Sequence, residues 1–249
     1  MNTLRRLPLR HACNVRDLGG YPIGDSRMTA WNRCYRSDHL HDLDDTDWQT
    51  LKDAKVTLIL DLRSTQERSV SPYECESYGI KQLHLPFMKA DVGSVAHQDA
   101  QSQKEFLQSM RLDYVEILRQ AESNLVEALE AIQNTLSLGE AVLFHCTAGK
   151  DRTGILACIL LDLCGVGETD ILADYEVSAT YNLPGVNQML PKEMMAIPQV
   201  RALFESHPDM LKPLLDYLHE KGTEAYVRSL GVSQDCIDTL RRELVIEQR

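Results

Sequence analysis

The apolar positions change their period along the chain. Val56-Thr57-Leu58-Ile59-Leu60 and Ala141-Val142-Leu143-Phe144 are short, nearly continuous apolar runs. Runs of that length predict strands buried on both faces, as in a parallel sheet. Each ends abruptly at polar chemistry, the first at Asp61-Leu62-Arg63-Ser64 and the second at His145-Cys146. The carboxyl ends of parallel strands are where α/β proteins place their ligands. A further short strand is predicted over Lys81–Leu85, stopped by Pro86, with lesser ones around Tyr21–Ile23 and Cys34–Tyr35.

Elsewhere the period is helical. Asp44–Ala54 predicts a short helix, with its N-cap among Asp44, Asp45 and Thr46 and with Trp48 and Leu51 on one face. Residues 104–119 carry Phe106, Leu107, Met110, Tyr114, Ile117 and Leu118 at helical spacing, and 122–138 carry Leu125, Leu129, Ile132 and Leu136. The plain reading of both stripes is core; the sharper one makes the helical insertion, about residues 95–138, a lid over a site. Gly154–Leu163 is a strongly apolar helix that Gly165 stops. Helices are also expected over Ile171–Thr180, Leu211–Lys221 and Asp235–Ile246, and a loop or short helix over the Pro- and Met-rich residues 182–200. Strands alternating with helices give an α/β fold, a central and mostly parallel sheet flanked by helices, in a single domain over residues 1–249.

Composition narrows the partners. The 249 residues carry a formal net charge of -11, against the basic balance of a nucleic-acid binder. An anionic substrate therefore needs a local positive site that overrides the overall field. The seven cysteines are odd in number, irregularly spaced and without a CxxC, which argues against a disulfide scaffold or a zinc ribbon and for a reducing, cytoplasmic setting. No run of signal-peptide or membrane-spanning length occurs, so no stable membrane insertion is expected. Export without a cleaved signal stays open.

The candidate chemistry lies in His145-Cys146-Thr147-Ala148-Gly149-Lys150-Asp151-Arg152-Thr153-Gly154. A cysteine between a buried strand and a helix start lies in the helix's positive field, which favours thiolate. Backbone amides of a tight loop over Thr147, Ala148, Gly149 and Lys150 can converge on an anion, and Gly149 lets the loop turn. Arg152, six residues after Cys146, offers a bidentate fork to two phosphate oxygens. The spacing places a nucleophile under a phosphorus atom and a planar cation beside its oxygens, a chemistry that needs no metal or other cofactor. Thr153 is positioned to donate its hydroxyl to the Cys146 sulfur. His145 is expected to hold the loop from behind, not to act as a base. A Walker loop is disfavoured, because Gly149-Lys150 lacks the following Ser/Thr and the upstream glycine.

The segment HCTAGKDRTG resembles the signature of protein-tyrosine and dual-specificity phosphatases. More narrowly, the chain is similar to the atypical bacterial and fungal tyrosine phosphatases, a group typified by a secreted mycobacterial phosphatase B. Three other stretches carry that resemblance: Asn14–Gly20; Asp61-Leu62-Arg63-Ser64 with Glu67-Arg68; and Asp170–Tyr175 with Ser178 and Tyr181. The Tyr226–Leu240 region is also similar, and residues 90–138 are the least specific part. The resemblance implies a phosphocysteine intermediate on Cys146, a phosphorylated protein or phosphoinositide as substrate, and Lys150 as the second cation that accompanies phosphoinositide activity. It makes Asp151 the first choice for the general acid, with Asp61 and Asp91 as alternatives, since no Trp-Pro-Asp tripeptide occurs. Asp61 is equally placed to orient Arg152, and Asp61 and Arg63 are counted among the substrate-binding residues. Arg16, Arg36 and Arg63 add positive potential near the mouth or serve as structural ion-pair partners.

His39-Leu40-His41-Asp42 has no further ligand at a standard metal spacing, so no metal site is expected there. His84, at a strand end, reads as a satisfied core or rim histidine. Two rival functions remain from other classes: a phosphate-binding module without turnover, and a sulfurtransferase of rhodanese type.

Overall fold

The computed structural model describes residues 4–88, 113–189, 201 and 204–247. Among these, eight strands and nine α-helices follow in order. They are β1 (Arg16–Asp17), β2 (Pro22–Ile23), β3 (Arg27–Thr29), β4 (Cys34–Ser37), α1 (Asp45–Asp53), β5 (Val56–Asp61), α2 (Thr65–Val70), β6 (Lys81–His84), α3 (Tyr114–Gln120), α4 (Glu122–Ser137), β7 (Ala141–His145), α5 (Asp151–Leu163), α6 (Glu168–Met189), α7 (Pro208–Lys221), α8 (Thr223–Ser229), α9 (Gln234–Leu244) and β8 (Val245–Glu247).

The main sheet has the order β1-β4-β7-β5-β6. Strands β4, β7, β5 and β6 are mutually parallel, and only the edge strand β1 runs antiparallel. The expected mixed, mostly parallel sheet flanked by helices is therefore present. A second, antiparallel sheet of order β2-β3-β8 packs the C-terminal strand against the early hairpin.

The continuous apolar runs are explained by cores on both faces. Leu58, Leu60, Val142 and Phe144 point into a large cluster shared with α3, α4, α5 and the C-terminal helices. Their neighbours Ile59 and Leu143 point the other way, against Leu7, Trp48 and Leu51. The stripes Tyr114-Ile117-Leu118 and Leu125-Leu129-Ile132-Leu136 are buried in the large cluster, so the described part of the insertion is core. Phe106, Leu107, Met110, Asp91 and residues 190–200 lie outside the described residues.

Three boundaries differ from expectation. Helix α6 runs on to Met189 through Pro184, where a helix was expected to end at Thr180 and a loop or separate short helix to follow from residue 182. The last helix ends at Leu244, and Val245–Glu247 pairs with β3 instead of extending it. Helix α8 replaces an expected gap between α7 and α9.

The register puts the strand ends in one line. Ser37 pairs with His145, His145 with Asp61, and Asp61 with His84. Four carboxyl ends thus meet at one edge, and the Cys146 loop leaves from the middle of it.

Candidate active site

Between β7 and α5, five consecutive backbone carbonyls are tied back into the scaffold. The Cys146 carbonyl lies 3.0 Å from His145 Nδ1. The Thr147 carbonyl accepts from the His39 amide at 3.0 Å. The Ala148 carbonyl accepts from Asn14 Nδ2 at 2.9 Å and Asn182 Nδ2 at 2.8 Å. The Gly149 carbonyl accepts from Asn14 at 3.1 Å and Arg36 at 2.8 Å, and Arg36 also reaches the Lys150 carbonyl at 3.3 Å. In a trans peptide the N–H that follows a carbonyl points the opposite way. Five outward carbonyls therefore turn the amides of residues 147–151 into the loop. That arrangement is a concave nest for an anion, at the start of a helix whose N-terminus no side chain caps.

Gly149 is required here. Its φ is +63°, and a Cβ would sit 2.4 Å from the Ser37 carbonyl oxygen. The loop lies directly on the end of β4, and a side chain cannot fit between them.

The donors that hold the loop are themselves fixed. Asn14 accepts from Arg16 at 2.5 Å through its side-chain oxygen, which leaves its NH2 for the loop. Arg16 and Arg36 share one buried carboxylate, Asp174. Arg16 Nε donates to Asp174 Oδ1 at 2.8 Å, Tyr21 donates to the same oxygen at 2.9 Å, and Arg36 donates to Oδ2. Burial alone would raise the Asp174 pKa, but the two guanidinium groups overcome it and hold the carboxyl well below the usual range. Arg16 and Arg36 are thus structural ion-pair partners and not cations of the mouth.

Cys146 is buried, with 1% of its surface exposed. Arg152 is gripped by Glu67: its two terminal nitrogens donate to Glu67 Oε2 at 2.5 Å and Oε1 at 2.8 Å, and Thr147 Oγ1 donates to Oε1 at 2.5 Å. Burial would lower the Arg152 guanidinium; the Glu67 hydrogen bonds and then the charge of Cys146 outweigh it and raise it. Glu67 responds in kind: burial would raise it, but the Arg152 bonds and charge bring it down to about 2. The same carboxylate closes a capping box on α2, where Ser64 N–H donates to Oε2 at 2.8 Å. One residue thereby starts a helix and fixes the arginine.

The expectation that Asp61 orients Arg152 is not met, because Glu67 holds that arginine. Asp61 takes Arg63 instead, with Nε at 2.9 Å and Nη2 at 2.7 Å, and Arg63 also donates to the Ser71 carbonyl at 2.8 Å. Both side chains are sealed, at 0% and 1% exposed. Burial would raise Asp61, yet Arg63 and His145 keep it lowered. Asp61 and Arg63, expected among the substrate-binding residues, form a closed pair behind the strand ends. His84 is a rim histidine satisfied by the Arg63 carbonyl at 2.8 Å.

His145 stands behind the loop as expected. Burial lowers it to about 4, so the ring is neutral. The carbonyl partner assigns the proton to Nδ1, and Nε2 then accepts from Tyr73 OH at 2.7 Å. Thr153 Oγ1 is buried and has no hydrogen-bond partner among the described residues, so the expected bond to the Cys146 sulfur is not formed in this structure. Lys150 is only 2% exposed; its Nζ donates to the Glu205 carbonyl at 2.9 Å and lies 3.5 Å from Asp151 Oδ1. Asp151 opens α5 and accepts from Tyr114 OH. Asp91 lies outside the described residues.

All seven cysteines are free. Among the described residues, His39, His41 and Asp42 bring one ligand atom each within 4.8 Å of one another, as do His11, Asp44 and Asp47. Asp47 is already engaged by the Arg10 and His11 amides, at 2.7 and 3.3 Å. Among the described residues, no helix is long and apolar enough to cross a membrane.

Sequence reasoning missed Glu67 as the partner of Arg152, and Asn14 and Asn182 as loop anchors. Glu67 and Asn14 stand in stretches that carry the family resemblance, but nothing in a single sequence pairs residues 85 and 135 positions apart.

A buried cysteine at the end of a central parallel strand, under an inward-facing amide nest with a fixed arginine, defines an α/β protein of the cysteine-loop phosphatase class. Residues 7–246 match the model of the tyrosine phosphatase family, and the chain belongs to that family. It is 30% identical over 223 residues to a tyrosine-protein phosphatase of Nostoc commune, covering 84% of this chain and 73% of that one. It is also 30% identical over 188 residues to the triple specificity protein phosphatase PtpB of Mycobacterium tuberculosis, covering 65% and 68% of the two chains. Among solved structures it is similar to Pseudomonas aeruginosa TpbA, at 17% identity and a TM-score of 0.36 over 85% of each chain.

Proposed function

We propose that the protein hydrolyses phosphomonoesters through a phosphocysteine intermediate on Cys146. The reading rests on one observation: five successive carbonyls, from Cys146 to Lys150, are tied away from the loop, which turns the following amides into it.

The chemistry follows from the residues. The phosphate dianion enters the nest, and Arg152, fixed by Glu67, uses its remaining N–H groups on two oxygens. The Cys146 thiolate attacks phosphorus in line. An S–P bond forms, the P–O bond to the leaving group breaks, and Asp151 gives its proton to the departing oxygen. Asp151 then takes a proton from water as that water attacks phosphorus, and the thiolate returns. The charge that develops on the equatorial oxygens meets fixed amides and a guanidinium, so no metal is called for. The backbone amides of Thr147, Ala148, Gly149 and Lys150 bind the phosphate. Thr153 Oγ1, buried and without a partner among the described residues, is available to the sulfur as it leaves in the second step.

Phosphoproteins are the first substrate class, in line with family membership. Phosphoinositides are the second, supported by Lys150 as a buried cation beside Asp151. The free cysteines favour a reducing, cytoplasmic setting. Turnover of a panel of phosphopeptides and phosphoinositides, with Cys146→Ser as control, tests the reading. Loss of all turnover in Cys146→Ser with retained folding is expected; ordinary activity in that variant rejects the covalent route. Phosphate binding without any turnover would reject hydrolysis altogether.

A further inference from the structure

Asp151 is not left to orient itself. Tyr114, the first residue of α3, is buried to 2% exposure and places its hydroxyl on Asp151 Oδ1. Tyr175, on α6, puts its own hydroxyl 2.6 Å from that of Tyr114. The Tyr175 ring lies across the first turn of α5, so close that a Cβ on Gly154 would meet it at 3.0 Å. The two rings meet edge to face at 6.0 Å. Lys150 Nζ also approaches Oδ1, at 3.5 Å. Every described contact of the carboxyl group thus falls on one oxygen, and among the described residues Oδ2 has no partner.

We propose that Tyr114, backed by Tyr175, is a positioning residue that pins Asp151 by Oδ1 and thereby presents Oδ2 to the leaving group. This rests on Asp151 as the general acid. A carboxyl group that must deliver a proton in one step and collect one in the next needs the same oxygen in the same place both times. A freely rotating Asp at a helix start is spread over its rotamers, and pinning one oxygen removes that freedom. With Oδ1 accepting from Tyr114, the exchangeable proton is carried on Oδ2. It leaves from there to the alcohol or phenol oxygen, and water restores it there. The neighbours Asp174 and Tyr175 divide the support: Asp174 fixes the loop backbone through Arg36, and Tyr175 fixes the acid through Tyr114.

The test compares Tyr114→Phe, Asp151→Asn and the double variant on aryl phosphates of good and poor leaving ability. Tyr114→Phe keeps the ring and its packing, and turnover of the best leaving group reports that the fold and nucleophile are intact. We expect Tyr114→Phe to lower kcat about 10-fold with the poorest leaving group, the size of one lost hydrogen bond, and less than about 2-fold with the best, with KM unchanged. The loss should vanish on the Asp151→Asn background. Equal loss on all substrates, no loss at all, or losses that multiply in the double variant would overturn the proposal while leaving Asp151 as the acid. Absence of any leaving-group dependence in Asp151→Asn itself would overturn both.

Discussion

Glu67 holds Arg152 by both carboxylate oxygens, at 2.5 and 2.8 Å, while a third hydrogen bond ties the same carboxylate to Thr147. The pair is nearly sealed, with 12% and 8% of the side chains exposed. A bidentate grip sets the plane of a guanidinium, and the plane decides whether its outer N–H groups meet two phosphate oxygens or one. The rest of the site can be read from this relationship, since it couples α2, the loop and the first turn of α5.

Glu67→Gln should therefore separate stability from catalysis. Removing the charge leaves Arg152 buried beside a neutral group, and breaking such a pair costs about 3 kcal/mol, readable by urea unfolding. Turnover should fall about 10-fold or more through misplacement of the fork. Arg152→Lys should lose as much turnover or more, since one ammonium cannot take both Glu67 oxygens. Values within two-fold of wild type for either variant would contradict this account.

The same pair predicts a pH dependence. Glu67 titrates near 2 in the folded protein, well below its ordinary value. A depressed carboxylate stabilises the fold above its unfolded pKa, and the contribution is lost as pH falls from about 4.3 toward 2. Part of the acid destabilisation of the wild type in that window should be absent from Glu67→Gln. Parallel pH–stability curves for the two proteins would refute the assignment.

His145 acts in a different window. Burial depresses it to about 4, so the unfolded chain binds the proton first as pH falls. Its contribution is complete above about 6.5 and is lost between there and about 4. In His145→Asn, whose amide can still donate to the Cys146 carbonyl, the slope of stability against pH between 6.5 and 4 should flatten. Chemical unfolding at intervals across that range measures it, and an unchanged slope counts against a neutral buried ring.

Gly149→Ala tests the contact between the loop and β4. Its Cβ would collide with the Ser37 carbonyl, at a φ that L-residues rarely adopt. A displacement of the loop by tenths of an ångström or more should cost about 100-fold in kcat/KM and weaken competitive inhibition by inorganic phosphate. Wild-type affinity for phosphate in this variant would mean that the amide nest is not the phosphate site.

Strands β5 and β7 and helices α4 and α5 were legible in the sequence because their apolar runs are long and bury two faces or a full stripe. Of the small sheet only the strand around Tyr21–Ile23 was expected, since β2, β3 and β8 have two or three residues each and β8 meets β3 across more than 200 positions. Helix α6 was expected to end at Thr180, before the Pro- and Met-rich stretch from residue 182, and it runs on to Met189 through Pro184, a residue that argues for a break from sequence alone. At the site, the strand–loop–helix context of Cys146 and Arg152 could be read locally. The identities of the partners could not. Asp61 and Glu67 are six residues apart in one motif, and either carboxylate could have taken Arg152. Only the fold shows that Arg63 fills Asp61 and that Glu67 reaches the loop. Tyr114 read as one more apolar position in a helical stripe, because its hydroxyl partner lies 37 residues away.

The central claim is covalent, and rapid-quench mass spectrometry of the protein during turnover of an aryl phosphate tests it most directly. A phosphoryl adduct on the peptide that contains Cys146 is predicted in the wild type, accumulating in Asp151→Asn with a good leaving group and absent from Cys146→Ser, which should not turn over. Turnover by Cys146→Ser, or an adduct on any other residue, would contradict the account.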